Sequence, residues 1–333
     1  MASTLTQSAL FVAGIVLGAS TAIVYKNKQT DSSSTSSSST TNPNSDSSNQ
    51  PIFTRQFHSE FKSQAPNQIL KFGNPGPIND FFSRQAYAMG YDRRMRNPSW
   101  TAEHLTSSNI RPPRSPGGDQ PDRSHSNFHE DPALPPEFRA KLSDYFRSGY
   151  DRGHMVPAAD AKISQEAMNE TFILSNIAPQ VGEGFNRDYW AHLENFVRQL
   201  TTSFSDVYVF TIPLYLPKQD PITQKQIVSY EVIGNPPNVA VPTHFAKIVY
   251  GVNGHQGSLG SFVLPNTKIS NQIPLRSFET PVDSVEKASG LKLFPDQIKS
   301  NSSKLCETVK CEMVIRNFDQ ARKQVTGNKN IGP

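Results

Sequence analysis

An arginine and a histidine with one glycine between them stand near the middle of the chain, in the run Asp151-Arg152-Gly153-His154. The guanidinium of Arg152 offers a rigid fork of donors that fits phosphate oxygens. The imidazole of His154 accepts a proton near neutral pH. Because Gly153 has no side chain, we expect the backbone between them to come close to a ligand. These residue types at this spacing predict attack on a phosphodiester bond.

Three further polar residues follow this run: Asn176, Asn186 and Glu194. Beyond Asn186, apolar residues recur at helical intervals and predict a helix from about Arg187 to Leu200. The residues of its buried stripe are Trp190, Leu193, Val197 and Leu200. Glu194 lies amid that stripe, where a carboxylate without a partner is costly to bury. We therefore expect a cation with its waters on the face that Glu194 and Asn186 share.

Asn186 is suited to a magnesium ion that keeps most of its water. Mg²⁺ prefers near-octahedral oxygen ligands and gives up water reluctantly, so a single neutral ligand leaves room for water and a phosphate oxygen. The ion would polarise the phosphoryl group and neutralise the departing 3′ oxygen. His154 would take a proton from the attacking water, and Arg152 would stabilise the charge of the phosphorane. This arrangement predicts hydrolysis with one metal ion and one histidine.

Together these residues resemble the active-site pattern of the DNA/RNA non-specific endonucleases with a ββα-metal fold. Within that superfamily the sequence is most similar to the endonuclease G group, and it looks like a fungal mitochondrial member. The similarity extends roughly from Phe72 to Ile315 and includes the runs Phe146–His154 and Pro179–Glu194. It implies an α+β domain with the ββα-metal nuclease fold, in which a central antiparallel sheet is flanked by helices.

The resemblance also implies a role for each polar residue. His154 corresponds to the general base, and Asn186 to the direct ligand of Mg²⁺, for which Mn²⁺ can substitute. Glu194 corresponds to a holder of metal-bound waters. Asn176 corresponds to a group that orients the hydrated cluster and the histidine. The expected activity is cleavage of DNA and RNA to products with 5′-phosphate ends, carried out by a homodimer.

Three arginines are expected to line the substrate cleft. Arg123 occupies the place of the family's second phosphate-binding arginine, and Arg187 joins Arg152 and Arg123 along the cleft. The net charge of +4 and the isoelectric point near 8.9 favour a polyanionic partner. Because arginines bind phosphates whatever the base, this cleft predicts little base specificity for DNA or RNA.

Five of the assignments have a simpler alternative. His154 could be an ordinary surface or core histidine, and Arg123 could be a solvated charge.

The three other polar residues have alternatives of their own. Asn176 could cap a turn after a strand at Phe172–Leu174. Asn186 could serve only as the N-cap of its helix, a position that asparagine favours. Glu194 could form an ordinary helix-surface pair with Arg198, four residues later.

Several apolar and β-branched runs predict the strands of the central sheet, at Val207–Phe210, Ala246–Tyr250 and Ser261–Leu264. The sequence departs from the family at Ile212-Pro213, where a glycine is usual before the proline. Isoleucine does not readily adopt a positive φ. We therefore expect the local turn to differ there.

The two cysteines, Cys306 and Cys311, lack the paired spacing of a zinc ribbon. Their chemistry depends on the redox compartment, so a local disulfide and two buried thiols both remain open. We assign them no part in catalysis.

The chain divides into four regions by composition. Residues 1–28 form a predicted mitochondrial targeting segment or membrane anchor, and residues 29–65 form a Ser/Thr-rich flexible linker. Residues 66–316 form the endonuclease domain, which is long enough to bury one large core. Residues 317–333 form a basic tail. Within the domain, the Pro, Gly and Ser-rich stretch Arg111–His125 predicts a long loop near the substrate face.

The leader contains an uncharged apolar run of 17 residues, Ala9–Tyr25, followed by Lys26 and Lys28. This run can just span a bilayer. A secretory signal is the competing interpretation, but the positive residues that should precede the run are absent. The resemblance favours an anchor in the mitochondrial inner membrane, with the nuclease facing the intermembrane space and relocating to the nucleus on release.

Two other functions are compatible with the same residues. One is a 5′ exonuclease of the same fold, which needs an element that blocks one end of the cleft. The other is a membrane-tethered nucleic-acid binder without catalysis, which would have no need of both His154 and Asn186.

Overall fold

The structure is a computed structural model that describes residues 79–112 and 120–315. The predicted leader at 1–28 with its Ala9–Tyr25 run, the linker at 29–65 and the tail at 317–333 lie outside the described residues. The described residues fall within the predicted endonuclease domain at 66–316. None of the described helices has the length and apolar character that a membrane span requires.

Runs of consecutive strands are separated by short helices along the chain. The strands are β1 Asn79–Ser83, β2 Tyr87–Asp92, β3 Asn97–Leu105, β4 Tyr150–His154, β5 Ile177–Val181, β6 Asp206–Leu214, β7 Lys218–Gln219, β8 Gln226–Ile227, β9 Val232–Ile233, β10 Val239–Ala240, β11 His244–Asn253, β12 Gln256–Pro265 and β13 Ser303–Lys304. The helices are α1 Ser107–Ile110, α2 Leu142–Tyr145, α3 Gln165–Glu170, α4 Tyr189–Gln199, α5 Val282–Ser289, α6 Asp296–Asn301 and α7 Leu305–Thr308.

A seven-stranded sheet in the order β1-β2-β3-β6-β11-β12-β13 forms the centre of the fold. Its strand pairs are antiparallel except the last, β12 with β13, which is parallel. The α+β class with a central, largely antiparallel sheet is thus confirmed. The three predicted strands lie within β6, β11 and β12.

Helices cover both faces of this sheet. On β11, Phe245 and Val249 pack into the core that contains α4. Ala246 and Ile248, which point the opposite way, pack with Val285 of α5. Alternate residues of a strand point to opposite faces, so a strand buried on both faces carries apolar residues at consecutive positions.

The helix predicted at Arg187–Leu200 is confirmed as α4, Tyr189–Gln199. The four residues of its apolar stripe are each no more than 3% exposed: Trp190, Leu193, Val197 and Leu200. This stripe packs against Val207, Val209 and Phe245 of the sheet. The helix is therefore attached to the sheet by the face that its sequence predicted.

A separate two-stranded ribbon precedes α4. Strands β4 and β5 pair antiparallel, with His154 opposite Ile177. A turn at Gly182–Asn186 then leads to α4, and Gly184 within it has φ of +80°, which favours glycine. The order strand, strand, helix is the ββα unit that the resemblance implies.

The strand predicted at Phe172–Leu174 is wrong. Ile173 forms only an isolated bridge with His129, Leu174–Asn176 is a 3₁₀ turn, and β5 begins at Ile177. The three residues of this run are all buried. Both strands and turns can be buried, so a short apolar run does not by itself reveal its backbone conformation.

The structure also answers two questions that the sequence left open, one at Ile212 and one at the two cysteines. Ile212 is an extended residue of β6 that pairs with Ala246, so no turn occurs at the departure from the family. Cys306 and Cys311 form a disulfide with an S–S distance of 2.00 Å, which decides between the two alternatives. Both cysteines are buried in the core with Leu305.

Gly153 serves a different purpose from the one its sequence context predicts. A Cβ atom at Gly153 would lie 2.2 to 2.4 Å from the side chain of Gln180. Gln180 is fully buried on β5 and cannot swing into solvent. The glycine therefore makes room for a neighbouring strand, and the expectation of a close approach to ligand is not supported.

We predict that Gly153→Ala lowers the free energy of unfolding by about 1–3 kcal/mol, the usual cost of overpacking a buried site. Gln180→Ala removes the clashing atoms, so the double variant should lose less stability than the two single losses added together. Urea denaturation of the four proteins measures this coupling. Strict additivity of the two losses would show that Gln180 does not impose the glycine.

Candidate active site

His154 ends β4 and is enclosed by two aromatic rings. Its imidazole centroid lies 5.2 Å from that of Phe128 and 4.7 Å from that of Phe172, which it meets edge to face. The residue is 8% exposed. Among the described residues, none forms a hydrogen bond with its Nε2 atom. Within residues 79–112 and 120–315, this nitrogen is therefore a buried polar atom without a hydrogen-bond partner.

Two arginines lie against the same rings. The Arg152 guanidinium carbon is 4.4 Å from the Phe128 centroid, and that of Arg123 is 5.4 Å from the Phe172 centroid. Arg152 and His154 are two residues apart on a strand, so their side chains point to the same side. The structure thus brings together Arg123, Arg152 and His154 as predicted.

The pKa of His154 is lowered to about 3, chiefly because the ring is buried and then because Arg123 and Arg152 are close. Burial penalises the charged imidazolium, and the two cations repel an added proton. The imidazole is therefore neutral at physiological pH. A neutral imidazole is the form that a general base requires.

Asp151 points to the other side of β4 and joins two residues of the following turn. Its Oδ2 accepts hydrogen bonds from Asn186 Nδ2 at 2.8 Å and from Arg187 Nε at 2.7 Å, and its Oδ1 accepts from Arg187 Nη2 at 2.5 Å. Asn186 therefore has its amide nitrogen engaged, and Oδ1 is the atom suited to a metal. Sequence reasoning missed this role of Asp151, although strand alternation separates Asp151 from Arg152 and His154.

The position of Asn186 also excludes its simpler alternative. Asp188, not Asn186, is the N-cap residue of α4. Arg187 lies at the cleft as expected, but it is also bound to Asp151 as one of its ion-pair partners. A substrate phosphate would have to share this guanidinium with Asp151.

Asn176 holds the backbone next to His154. Its side chain is fully buried, accepts a hydrogen bond from the Val156 N–H at 3.1 Å, and donates to the carbonyls of Val156 at 3.0 Å and Thr171 at 2.9 Å. The main-chain carbonyl of Asn176 accepts a hydrogen bond from the Met155 N–H. These bonds suit a residue that positions the histidine. They do not support the expected orientation of a hydrated metal cluster, because the amide is turned to the main chain.

Glu194 lies half-buried on α4. Burial raises its pKa to about 7, an effect that the nearby cations Lys247 and Arg198 oppose. The alternative pair with Arg198 does not form, since Arg198 Nη1 binds Asp160 Oδ1 at 2.7 Å. Within the described part of the chain, the Glu194 carboxylate takes part in no hydrogen bond or ion pair. It therefore remains available as an acceptor for water.

The oxygen atoms of Asn186 and Glu194 fit a hydrated Mg²⁺ ion. Both are hard ligands, and their small number leaves positions for water, as Mg²⁺ requires. Asn186 also lines a groove of about 460 Å³ with four arginines, Arg123, Arg147, Arg152 and Arg187. The groove therefore combines a possible metal ligand with cations that suit a phosphate backbone.

Comparisons with known proteins identify the family of this chain. The DNA/RNA non-specific endonuclease family matches residues 65–299. The mitochondrial nuclease of Saccharomyces cerevisiae is 45% identical over 94% of both chains. Human mitochondrial endonuclease G is 42% identical over 69% of this chain and 74% of its own. In the crystal structure of the EndoG/EndoGI complex, a chain 47% identical superposes with a TM-score of 0.62, covering 71% of this chain and 94% of that one.

The paired strands, the helix after them and a neutral histidine between arginines define a ββα-metal nuclease, an enzyme that hydrolyses nucleic acids. The chain belongs to the DNA/RNA non-specific endonuclease family, in its mitochondrial endonuclease G group.

Burial of His154 should make its contribution to stability depend on pH. The pKa of about 3 in the folded protein lies below the ordinary value of 6.5, so below pH 6.5 the unfolded chain binds a proton that the folded chain refuses. The folded protein is therefore most stable with respect to His154 above pH 6.5, and it loses this stability as the pH falls towards 3. Glu194, with its raised pKa, has the opposite effect between about pH 7 and 4.5. A comparison with a His154 variant isolates the histidine.

We predict that, as the pH is lowered from 6 to 4.5, the free energy of unfolding of His154→Gln rises relative to that of the parent by about 1.4 kcal/mol for each unit fall in pH. Urea denaturation across this range measures the difference. His255→Gln, which removes an exposed histidine, is the control. Parallel pH profiles for His154→Gln and the parent would contradict a buried, neutral imidazole.

Proposed function

We propose that this protein is a Mg²⁺-dependent, sugar-non-specific endonuclease that hydrolyses DNA and RNA to products with 5′-phosphate ends. The observation that carries this proposal is the neutral, buried His154 between Arg123 and Arg152, on a groove that Asn186 also lines. Family membership supports the non-specific action on nucleic acids.

His154 is the general base of the proposed reaction. Its Nε2 atom takes the proton of the attacking water as the water oxygen forms the new bond to phosphorus. Because Nε2 is closed off from bulk solvent, this water enters together with the substrate. Asn176 keeps the imidazole in place by fixing the main chain at Met155 and Val156.

The two arginines bind the phosphate under attack. Arg152 and Arg123 approach from the two aromatic rings on either side of His154 and balance the negative charge that builds on the phosphorane oxygens. Asn186 Oδ1 would hold the Mg²⁺ ion and Glu194 would hold its waters, and a bound ion would supply Lewis-acid polarisation of the phosphoryl group and charge neutralisation for the departing 3′ oxygen. Asp151 accepts a hydrogen bond from the Asn186 amide nitrogen, which leaves Oδ1 as the atom that would bind the metal.

The names of the relatives bear on where the protein is found. Similarity to several mitochondrial nucleases supports a mitochondrial protein. We further propose that Ala9–Tyr25 anchors the chain in the inner membrane, that the nuclease faces the intermembrane space and can reach the nucleus on release, and that it acts as a homodimer. Protease protection in intact and outer-membrane-ruptured mitochondria tests the orientation, and sedimentation tests the dimer.

Circular substrates provide the central test of the proposed reaction. With Mg²⁺, the full chain should cut circular single-stranded DNA and circular RNA, and EDTA should stop both reactions. Circles have no ends, so cutting of linear substrates alone would favour a 5′ exonuclease. Binding without cutting would favour the membrane-tethered binder.

We predict that His154→Ala lowers kcat on these circles by at least about 100-fold, the lower end of what general-base catalysis contributes. Affinity for a non-cleaved phosphorothioate strand should change little, because the arginines remain. Arg152→Ala should weaken both cleavage and affinity. Near-normal turnover by His154→Ala would refute the proposed base.

We predict that Asn186→Asp changes the metal preference of cleavage. The substitution adds a negative charge to the ligand and places a second carboxylate beside Asp151. Titrations with Mg²⁺ and Mn²⁺ compare the two proteins, and Asn169→Asp on α3 controls for an added charge. An unchanged ratio of Mg²⁺ to Mn²⁺ activity would indicate that Asn186 does not bind the metal.

A further inference from the structure

Phe146 is a large apolar residue that the fold leaves in solvent. It is 71% exposed, more than other phenylalanines among the described residues. It also lines the groove that contains Arg152 and Asn186. The proposed cleavage chemistry gives no role to an exposed phenylalanine in this cationic groove.

The backbone around Phe146 is held by its own hydrogen bonds. Phe146 follows α2, and its N–H donates to the Ser143 carbonyl at 3.2 Å. Two residues later, Ser148 donates from both its N–H and its hydroxyl to the Tyr145 carbonyl. The Ser148 hydroxyl also accepts from the Tyr150 N–H at 3.2 Å, at the start of β4. The turn that presents Phe146 is therefore tied directly to the strand that carries Arg152.

A left-handed residue follows Phe146. Arg147 has φ of +55°, a conformation that non-glycine residues seldom adopt and that tends to occur at functional sites. Its guanidinium lies 5.0 Å from the Phe146 ring centroid. A cation and a flat aromatic surface thus stand side by side at the groove.

This pairing matches the chemistry of an unpaired nucleotide. Proteins that bind single strands without sequence preference combine cations along the backbone with aromatic rings on which bases stack. A base within a duplex is already stacked on its neighbours and is not free to reach such a ring. A ring that stacks on unpaired bases therefore distinguishes single strands from duplexes without reading the base.

We propose that Phe146 is a stacking platform for an unpaired base of the substrate strand, with Arg147 contacting the adjoining phosphate. The proposal rests on the proposed nuclease function. It assigns to Phe146 a preference for single-stranded DNA and RNA over duplex.

The first experiment measures stacking without cleavage. The full chain with His154→Ala, in EDTA, carries Phe146→Trp as a fluorescent reporter. A short oligothymidine strand should quench the added emission to saturation, whereas an abasic strand of equal length should not. Phe81→Trp is the matched control, because Phe81 is 65% exposed but lies on the edge strand β1. Equal quenching by the abasic strand, or none by either strand, would overturn the proposal.

The second experiment compares cleavage of circular single-stranded and closed duplex DNA. Phe146→Ala should lower kcat/KM on the single strand about 10-fold, within the range for loss of one stacked base, and lower duplex cleavage less than about 2-fold. Phe146→Tyr should retain the parent's preference, and Phe81→Ala should behave as the parent. Equal effects on both substrates would overturn the assignment.

The outcomes separate this proposal from the nuclease function and from an interface role. If the parent chain cut neither DNA nor RNA, the nuclease function would fail, while the quenching experiment would still decide on stacking. If Phe146→Ala shifted the sedimentation coefficient and lowered both cleavage rates alike, Phe146 would be a contact between copies, and the stacking platform would be refuted.

Discussion

The pairing of β4 with β5 is the constraint on which the rest of the site depends. Its register sets His154 opposite Ile177, and the buried amide of Asn176 secures the backbone just beyond His154. Because side chains alternate along a strand, Arg152 and His154 then face the aromatic rings while Asp151 faces Asn186. A slip of one residue would exchange these sides and turn Arg152 and His154 together away from Phe128 and Phe172.

Burial then adjusts the chemistry of the two titratable groups in opposite directions. It lowers the pKa of His154 to about 3, which keeps the imidazole neutral, and it raises the pKa of Glu194 to about 7. Lys247, itself buried on β11 and bound to Thr211 Oγ1 at 2.8 Å, favours the ionised form of Glu194. The protein thus supplies internal cations close to a carboxylate that also suits a hydrated metal.

Much of this arrangement could be predicted because it depends on local periodicity. The stripe of α4 follows the 3.6-residue repeat, so the helix was predicted to within two residues at either end. The strand predicted at Phe172–Leu174 failed because a short buried run has no distinguishing period. The role of Asp151 was missed because its partner Asn186 lies in the turn after β5. The role of Gly153 was missed because its neighbour Gln180 lies on β5 itself.

The sequence by itself determined the family, the α+β class and the helix that carries Glu194, and it supplied the candidate residues of the site. Those properties depend on residue types at fixed spacings along the chain. Only the tertiary structure decided that Asn176 binds main chain, that Arg198 pairs with Asp160 rather than Glu194, and that Phe128 and Phe172 enclose His154. Hydrogen bonds and desolvation depend on which atoms meet across distant segments, and no local pattern in the sequence specifies those contacts.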